Sequence, residues 1–179
     1  MKLLRTIRLD TSDTFVFDRA AEPGEWAVPG TFAFASMDVA SLAGKARVAF
    51  RSGFLGIDSL GWSTLVEVAE AGEQERAAAV DRLAQRLLES FGAPDIAVAK
   101  AAAEEEIAFA ESLSGHPEGM VIALARRYKD GDVRESFRTL APGTRNRPIR
   151  AFSIVEVAEE EDAPVEEIDL VHLAKEKRL

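Results

Sequence analysis

Cysteine is absent from this chain of 179 residues, and histidine occurs only twice. The missing cysteines exclude disulfides, thiolate metal sites, iron–sulfur clusters and a cysteine nucleophile. His116 stands in a Gly-His-Pro turn and His172 lies close to the last residue. Neither belongs to an HExxH or HxH pattern, so the sequence predicts no metal site and no cofactor. No catalytic constellation can be recognised either, and enzyme activity stays an open question.

Long apolar runs are missing as well. A membrane span needs about 18 consecutive apolar residues, and a signal peptide needs about 7–15. Charges interrupt the opening segment 1–10 every two or three positions. We therefore expect a cytoplasmic protein that does not enter a membrane. Acidic residues outnumber basic ones, 31 to 22, for a net charge of −9. This charge repels phosphate, so nucleic acid is not an expected partner.

The hydrophobic patterns predict an α+β fold: a mainly antiparallel sheet, a central helix pair packed on one face, and a C-terminal helix. Apolar residues at helical spacing favour helices over 74–91 and 95–113, and the short link between them favours an antiparallel pair. At 45–51, Ala46, Val48 and Phe50 alternate with charged residues, which is typical of a half-buried strand. The extended segments predicted before the helix pair are 3–9, 14–17, 25–28, 31–36, 45–51 and 62–69.

After the helix pair, Asp130-Gly131 predicts a tight hairpin turn between strands at 120–128 and 133–140. A further strand is expected at 150–157, and a terminal helix at Val165–Lys177. The predicted domain organisation is one α+β domain over 1–163, followed by a helix and tail over 164–179.

The segment 52–61 is unusually apolar for a loop, because it carries Phe54, Leu55, Ile57 and Leu60. Loops normally lie at the surface. The segment either folds back over the core or forms a protein–protein contact or a ligand lid. The second alternative gives our first hypothesis. The chain would be a non-catalytic accessory or protein-binding protein that docks on a larger enzyme, or on its own copy, through these four residues.

The hairpin turn also fixes which residues oppose each other. Arg127 then pairs with Arg134, and Arg138 follows on the same face. Opposed arginines repel each other unless an anion or carboxylate lies between them. The opposite face carries an Arg126–Glu135 pair among apolar residues. Three more arginines follow at Arg145, Arg147 and Arg150.

Three explanations of this basic patch stay open. The chain's own acids, such as Glu156 or Glu159–Glu161, could neutralise it. An anionic ligand or an acidic partner could bind it, which gives our second hypothesis: a small-molecule protein or enzyme that binds an anion at Arg127, Arg134 and Arg138. Nucleic acid is the third explanation, but the interleaved aromatic residues of a base-stacking surface are missing.

Two other groups of residues have simpler explanations. The glutamates of the second helix form no metal-binding pattern and are interpreted as a solvated face; they are Glu104, Glu105, Glu106 and Glu111. The aromatic residues near the early strands are interpreted as one core face rather than as the lining of a ligand pocket; they are Phe32, Phe34, Phe50, Phe54 and Trp62.

Two segments carry a resemblance to known proteins. The opening residues Lys2–Asp10 and the segment Phe50–Val66 resemble a family of small uncharacterised bacterial proteins of the domain-of-unknown-function type. The resemblance extends over most of the chain. It implies a bacterial, cytoplasmic protein, but it implies no activity, cofactor or site residue.

Overall fold

The computed structural model describes residues 1–140 and the backbone of 154–155. This part of the chain forms an α+β fold with one antiparallel sheet, as the sequence predicts. Its strands are β1 (Lys2–Ile7), β2 (Trp26–Val28), β3 (Phe54–Gly56), β4 (Trp62–Ser63), β5 (Leu65–Glu70), β6 (Val121–Lys129), β7 (Asp132–Leu140) and β8 (Ile154–Val155). Its α-helices are α1 (Ser12–Val16), α2 (Gly44–Ser52), α3 (Glu73–Ser90) and α4 (Ile96–Leu113).

The sheet has the strand order β4-β3-β2-β1-β5-β6-β7-β8. Every neighbouring pair is antiparallel. The helix pair α3–α4 connects β5 to β6, which lie side by side. The chain leaves β5 along α3 and comes back along α4 to the same end of the sheet. Strand β6 therefore starts where β5 ends and runs antiparallel to it.

The core lies between the sheet and the helix pair, as expected. Helix α4 contributes small buried residues at Ala99, Ala103 and Ala110, with Ile107 between them. Alanine lets two backbones approach closely, and α3 and α4 make extensive contact. Asp95 precedes the first residue of α4, and its carboxylate accepts a hydrogen bond from the amide of Val98 at 2.9 Å. This is a standard N-terminal cap.

The β6–β7 hairpin has the register that its turn predicts. Asp130 and Gly131 both have positive φ, 55° and 84°, as a two-residue type I′ turn requires. Arg127 is opposite Arg134, Arg126 is opposite Glu135, and Leu124 is opposite Phe137. The two members of a pair lie on the same face of the hairpin. The Arg127–Arg134 pair is therefore on one face, and the Arg126–Glu135 and Leu124–Phe137 pairs are on the other.

Three predicted strands or extended segments are wrong. Residues 45–51 belong to helix α2 and residues 14–16 belong to helix α1. In α2 the buried residues are Ala49 and Phe50, with Ala46 half-buried, and these positions also fit a helical period. A seven-residue pattern cannot separate the two periods. Residues 31–34 form a 3₁₀ turn that starts after Gly30, which has a φ of 74°.

Other predictions need smaller changes or fall elsewhere in the chain. The strand expected at 62–69 is divided into β4 and β5 at Thr64. The strand expected at 150–157 is seen at Ile154–Val155. The rest of that strand, the helix at Val165–Lys177 and the domain boundary at 163 lie outside the described residues. None of the described helices is long and apolar enough to cross a bilayer.

Candidate functional site

The outer face of the β6–β7 hairpin carries the arginines singled out by the sequence. We define this face by Arg127, Lys129, Arg134, Ser136 and Arg138, which the register places on one side. Arg127 and Arg134 are exposed and directly opposed, whereas Arg138 is half-buried. The structure therefore brings Arg127 and Arg134 together, with Arg138 on the same side of β7.

The side chains of Arg127 and Arg134 make no hydrogen bond or ion pair with any other described residue. Other arginines of the chain do have carboxylate partners. Arg5 contacts Glu67 at 2.7 Å, and Arg76 contacts Glu104 at 3.0 Å and Glu111 at 3.1 Å. Two like charges directly opposite each other on a strand pair are destabilising. Within the part of the chain that is described, the Arg127–Arg134 pair therefore has no carboxylate contact, although the exposed Asp132 lies on the same face, opposite Lys129.

The inner face of the same hairpin holds a buried ion pair. Arg126 is only 1% exposed, and its Nε donates to Glu135 Oε1 at 2.6 Å. Its Nη1 donates to the carbonyls of Phe50 and Gly53, at 3.0 and 2.9 Å. Its Nη2 donates to the carbonyl of Pro29. One guanidinium group thereby joins β6 to β7, to the end of α2 and to the turn after β2.

These contacts explain why a charge is tolerated in the core. A buried ion is costly unless it is paired and its hydrogen-bonding groups are satisfied. The carbonyls at the C-terminal end of α2 carry partial negative charge, which favours a cation there. Burial lowers the pKa of Arg126, while Glu135 and Glu106 act in the opposite direction. Thr31 joins the cluster, because its hydroxyl accepts from Arg126 Nε at 3.0 Å and donates to Glu135 Oε1. Together Arg126, Glu135 and Thr31 form a structural anchor that fixes the hairpin.

Glu106 is half-buried and lies close enough to Glu135 and Arg126 to feel their charges, so its expected place on a solvated face is wrong. The pKa of Glu106 is raised from 4.5 to about 7, chiefly by burial and also by the nearby Glu135, while Arg126 acts in the opposite direction. Glu104 and Glu105, its neighbours on α4, are exposed as predicted. No motif marks Glu106 in the sequence. The only signal is its position one residue before Ile107, at the edge of the buried stripe of α4.

The apolar segment 52–61 is not an exposed loop. Phe54, Leu55 and Ile57 are buried in the main core, and Leu60 is partly buried against it. Phe54 and Leu55 form strand β3, so their backbone is paired on both sides. The expected docking surface made of these four residues is therefore wrong, and the alternative in which the segment folds back over the core is confirmed.

Glu25 explains how this segment is held in place. Its carboxylate accepts hydrogen bonds from the amides of Asp58 and Ser59, at 2.7 and 2.8 Å, and from the Ser59 hydroxyl at 2.5 Å. It also accepts from the amide of Glu22 at 2.7 Å. A carboxylate that satisfies three backbone amides closes the turn after β3. Sequence reasoning missed Glu25, because Asp58 and Ser59 are more than thirty positions away from it in the chain.

Other kinds of site find little support in the described residues. No group of three or more histidine, aspartate or glutamate side chains there could hold a metal ion. An open depression of about 500 Å³ lies at the sheet's other end, lined by Met1, Lys2, Glu70, Ala71, Gly72 and Glu75. It contains none of the residues that the sequence singled out.

Comparison with known families gives one result. A family model described as "Family of unknown function (DUF6505)" matches residues 1–160. The chain belongs to the DUF6505 family. This confirms the resemblance to a family of unknown function, while the bacterial origin stays a prediction. The DUF6505 match covers both faces of the β6–β7 hairpin as well as the anchor at Arg126. Neither a curated protein nor a solved structure matches the chain.

Proposed function

We propose that this DUF6505 chain is a non-catalytic binding protein that contacts carboxylate groups of an acidic protein partner. The contact surface is the outer face of the β6–β7 hairpin. The observation that carries the proposal is the Arg127–Arg134 pair, which is exposed, directly opposed and without a carboxylate partner among the described residues.

The chemistry of the pair favours a carboxylate. Each guanidinium group presents a planar fork of N–H donors that matches a carboxylate in a bidentate arrangement. A carboxylate between two opposed arginines replaces repulsion with two favourable contacts. The strands that carry the arginines are held rigidly by the buried Arg126–Glu135 pair. Pre-positioned charges lose less conformational entropy when a partner binds.

The shape of the surface favours a protein over a small molecule. Small-molecule sites are usually concave and bury most of the ligand. The outer face of the hairpin is instead an open strand surface on which Arg127, Lys129, Arg134 and Ser136 are all exposed. Arginine is enriched where proteins bind each other.

Titration with a labelled acidic probe tests the proposal. We would measure the binding of fluorescein-labelled poly-L-glutamate to the full chain by fluorescence anisotropy, with the variant Arg127→Glu/Arg134→Glu alongside. Each lost charge contact at an exposed site contributes roughly 0.2–1 kcal/mol, and charge reversal adds repulsion. We therefore expect binding at least several-fold weaker in the double variant than in the native chain.

The matched control is Arg47→Glu/Arg51→Glu on helix α2. Both residues are exposed, and the change in net charge is the same. The proposal predicts that this control binds the probe much more tightly than the hairpin variant. Equal loss in both variants would show that only net charge matters, and it would refute a specific surface.

A further inference from the structure

Helix α4 contacts the inner face of β7, and this contact brings two carboxyl groups near each other. The rings of Phe109 and Phe137 meet edge to face, with their centroids 5.8 Å apart. Glu106 lies one helical turn before Phe109, and residues three apart are neighbours on a helix surface. Glu135 lies two residues before Phe137, and alternate residues share one face of a strand. Glu106 and Glu135 are therefore on the facing sides of α4 and β7.

Only one of these two carboxyl groups is bonded to the nearby cation. Arg126 Nε donates to Glu135 Oε1 at 2.6 Å, and the Thr31 hydroxyl donates to the same oxygen. Glu106 makes no hydrogen bond or ion pair with any described residue. The charged groups that face it in this part of the chain are Glu135 from β7, Arg126 from β6 and Glu105 from α4 itself. Two of these three groups are negative, so an ionised Glu106 would be placed against two other carboxylates.

We propose that Glu106 is a proton-controlled switch for binding at the outer face of the β6–β7 hairpin. When Glu106 is neutral, α4 packs against β7 and the Arg126–Glu135 pair holds the hairpin in place. When Glu106 loses its proton, it repels Glu135 across this contact and loosens the hairpin. The acidic partner is then bound more weakly. This inference rests on the proposed function, because it describes how binding at the same surface is regulated.

The switch is directly connected to the binding surface. Arg126 precedes Arg127 in the chain, and Glu135 follows Arg134. The two inner residues are opposite each other in the hairpin register, and so are the two arginines of the outer face. A movement of β7 at Glu135 therefore displaces the backbone that carries Arg134. The added negative charge also reduces the attraction of an acidic partner. Both effects weaken the binding of carboxylates.

The pH range of the switch follows from the proton affinity of Glu106 in the folded chain. Its pKa is raised to about 7, chiefly by burial. Glu106 is therefore mostly neutral about one pH unit below this value and mostly ionised about one unit above it. The full chain should consequently bind an acidic partner more tightly at about pH 6 than at about pH 8.

Titration of the full chain with labelled poly-L-glutamate at these two pH values tests the switch. The probe stays ionised at both, because glutamate has an ordinary pKa of about 4.3. We expect fluorescence anisotropy to give several-fold weaker binding at the higher pH. Glu106→Gln should lose most of this dependence, because its side chain does not titrate. Glu105→Gln is the matched control with the same change in charge, and it should keep the native pH dependence.

NMR of the Phe109 and Phe137 ring protons reports on the α4–β7 contact without any partner. The switch predicts that these resonances shift with a midpoint near pH 7 in the native chain but not in Glu106→Gln. Ring resonances that do not titrate there would refute the switch. Titrating rings with an unchanged affinity would refute its coupling to binding and leave the charge-based proposal standing. If the probe binds at neither pH, the proposed function and its regulation both fail, and the rings still show whether the contact depends on the proton.

Discussion

Arg126 and Arg127 are adjacent in sequence but lie in opposite environments. The alternation of a strand directs Arg126 into the core and Arg127 to solvent. The core arginine has a carboxylate and four other oxygen acceptors around it. The exposed arginine has none among the described residues. One residue of register thus separates a structural anchor from the residue that we propose binds the partner.

Replacing Arg126 with methionine should strongly destabilise the fold. Methionine fills a similar volume but leaves the Glu135 carboxylate and the carbonyls of Pro29, Phe50 and Gly53 without their donor. Removing one member of a buried ion pair typically costs about 3–5 kcal/mol. Urea denaturation followed by circular dichroism measures the free energy of unfolding. Arg127→Met is the matched control, and a similar loss in both variants would contradict the anchoring role.

Glu106 should make stability depend on pH. Its pKa is raised from 4.5 to about 7 in the folded chain, so the folded state holds a proton that the unfolded state releases. The stabilising effect of that proton is complete below pH 4.5 and is lost as the pH rises to about 7. Glu106→Gln keeps a neutral side chain. Allowing for solvent screening, it should be more stable than the native chain at pH 8 by about 1–2 kcal/mol.

The difference between the native chain and Glu106→Gln should disappear at pH 4, where both side chains are neutral. Denaturation midpoints at a series of pH values would show this. Glu105→Gln is the control, because Glu105 is exposed on the same helix. If the stabilisation by Glu106→Gln were the same at pH 4 and pH 8, Glu106 would not titrate as described.

Prediction at the level of residues succeeded where the turn fixed the geometry. The Asp130-Gly131 turn was sufficient to pair Arg127 with Arg134 and Arg126 with Glu135. It could not show that Arg126 also contacts Pro29, Phe50 and Gly53, because those residues are more than seventy positions away. Glu106 was missed for the same reason. Its environment depends on elements that meet only in the fold.

At the level of elements, long periodic segments were predicted well and short ones were not. Helices α3 and α4 each have 18 residues and several buried positions, so their period is clear. Helix α2 has nine residues, and its apolar positions fit both a strand and a helix. Helix α1 has five residues, and the buried Asp13 carboxylate links it to the amide of Thr64 at 3.2 Å. Such a distant contact has no local signal.

The close approach of α3 and α4 depends on the alanines of α4. Ala103 is completely buried, so Ala103→Leu adds volume where the structure has no room. Overpacking of this kind typically costs about 1–3 kcal/mol. Ala102→Leu is the control, because Ala102 is exposed one position earlier on the same helix. Thermal unfolding should give a clearly lower midpoint for Ala103→Leu alone, and equal midpoints would contradict the close packing.

For the whole molecule, the main feature is a basic surface on a protein of net charge −9. The overall charge should repel an acidic partner at long range, and we propose that the arginines of the hairpin attract it at short range. The hypothesis of an apolar docking loop no longer applies, since Phe54, Leu55 and Ile57 belong to the core. Composition could not show whether the segment 52–61 forms a docking surface or folds back over the core. It shows that the segment is apolar but not that Glu25 folds it inward.

Binding at the hairpin should weaken as salt is added. Charge–charge contacts at a solvent-exposed surface are screened over about 10 Å at 0.1 M ionic strength, and over shorter distances above that. We expect the affinity of the native chain for poly-L-glutamate to fall steadily between low and high sodium chloride in anisotropy titrations. The Arg127→Glu/Arg134→Glu variant should show a much smaller change. A salt-independent affinity in the native chain would indicate a contact that is not ionic.

The most direct test of the proposed surface is NMR of the arginine Nε–H groups during titration with poly-L-glutamate. The account predicts that the resonances of Arg127 and Arg134 shift as the probe binds. The resonance of Arg126 should stay in place, because its Nε already donates to Glu135 inside the core. If Arg127 and Arg134 do not shift while arginines elsewhere on the chain do, the outer face of the hairpin is not the binding surface.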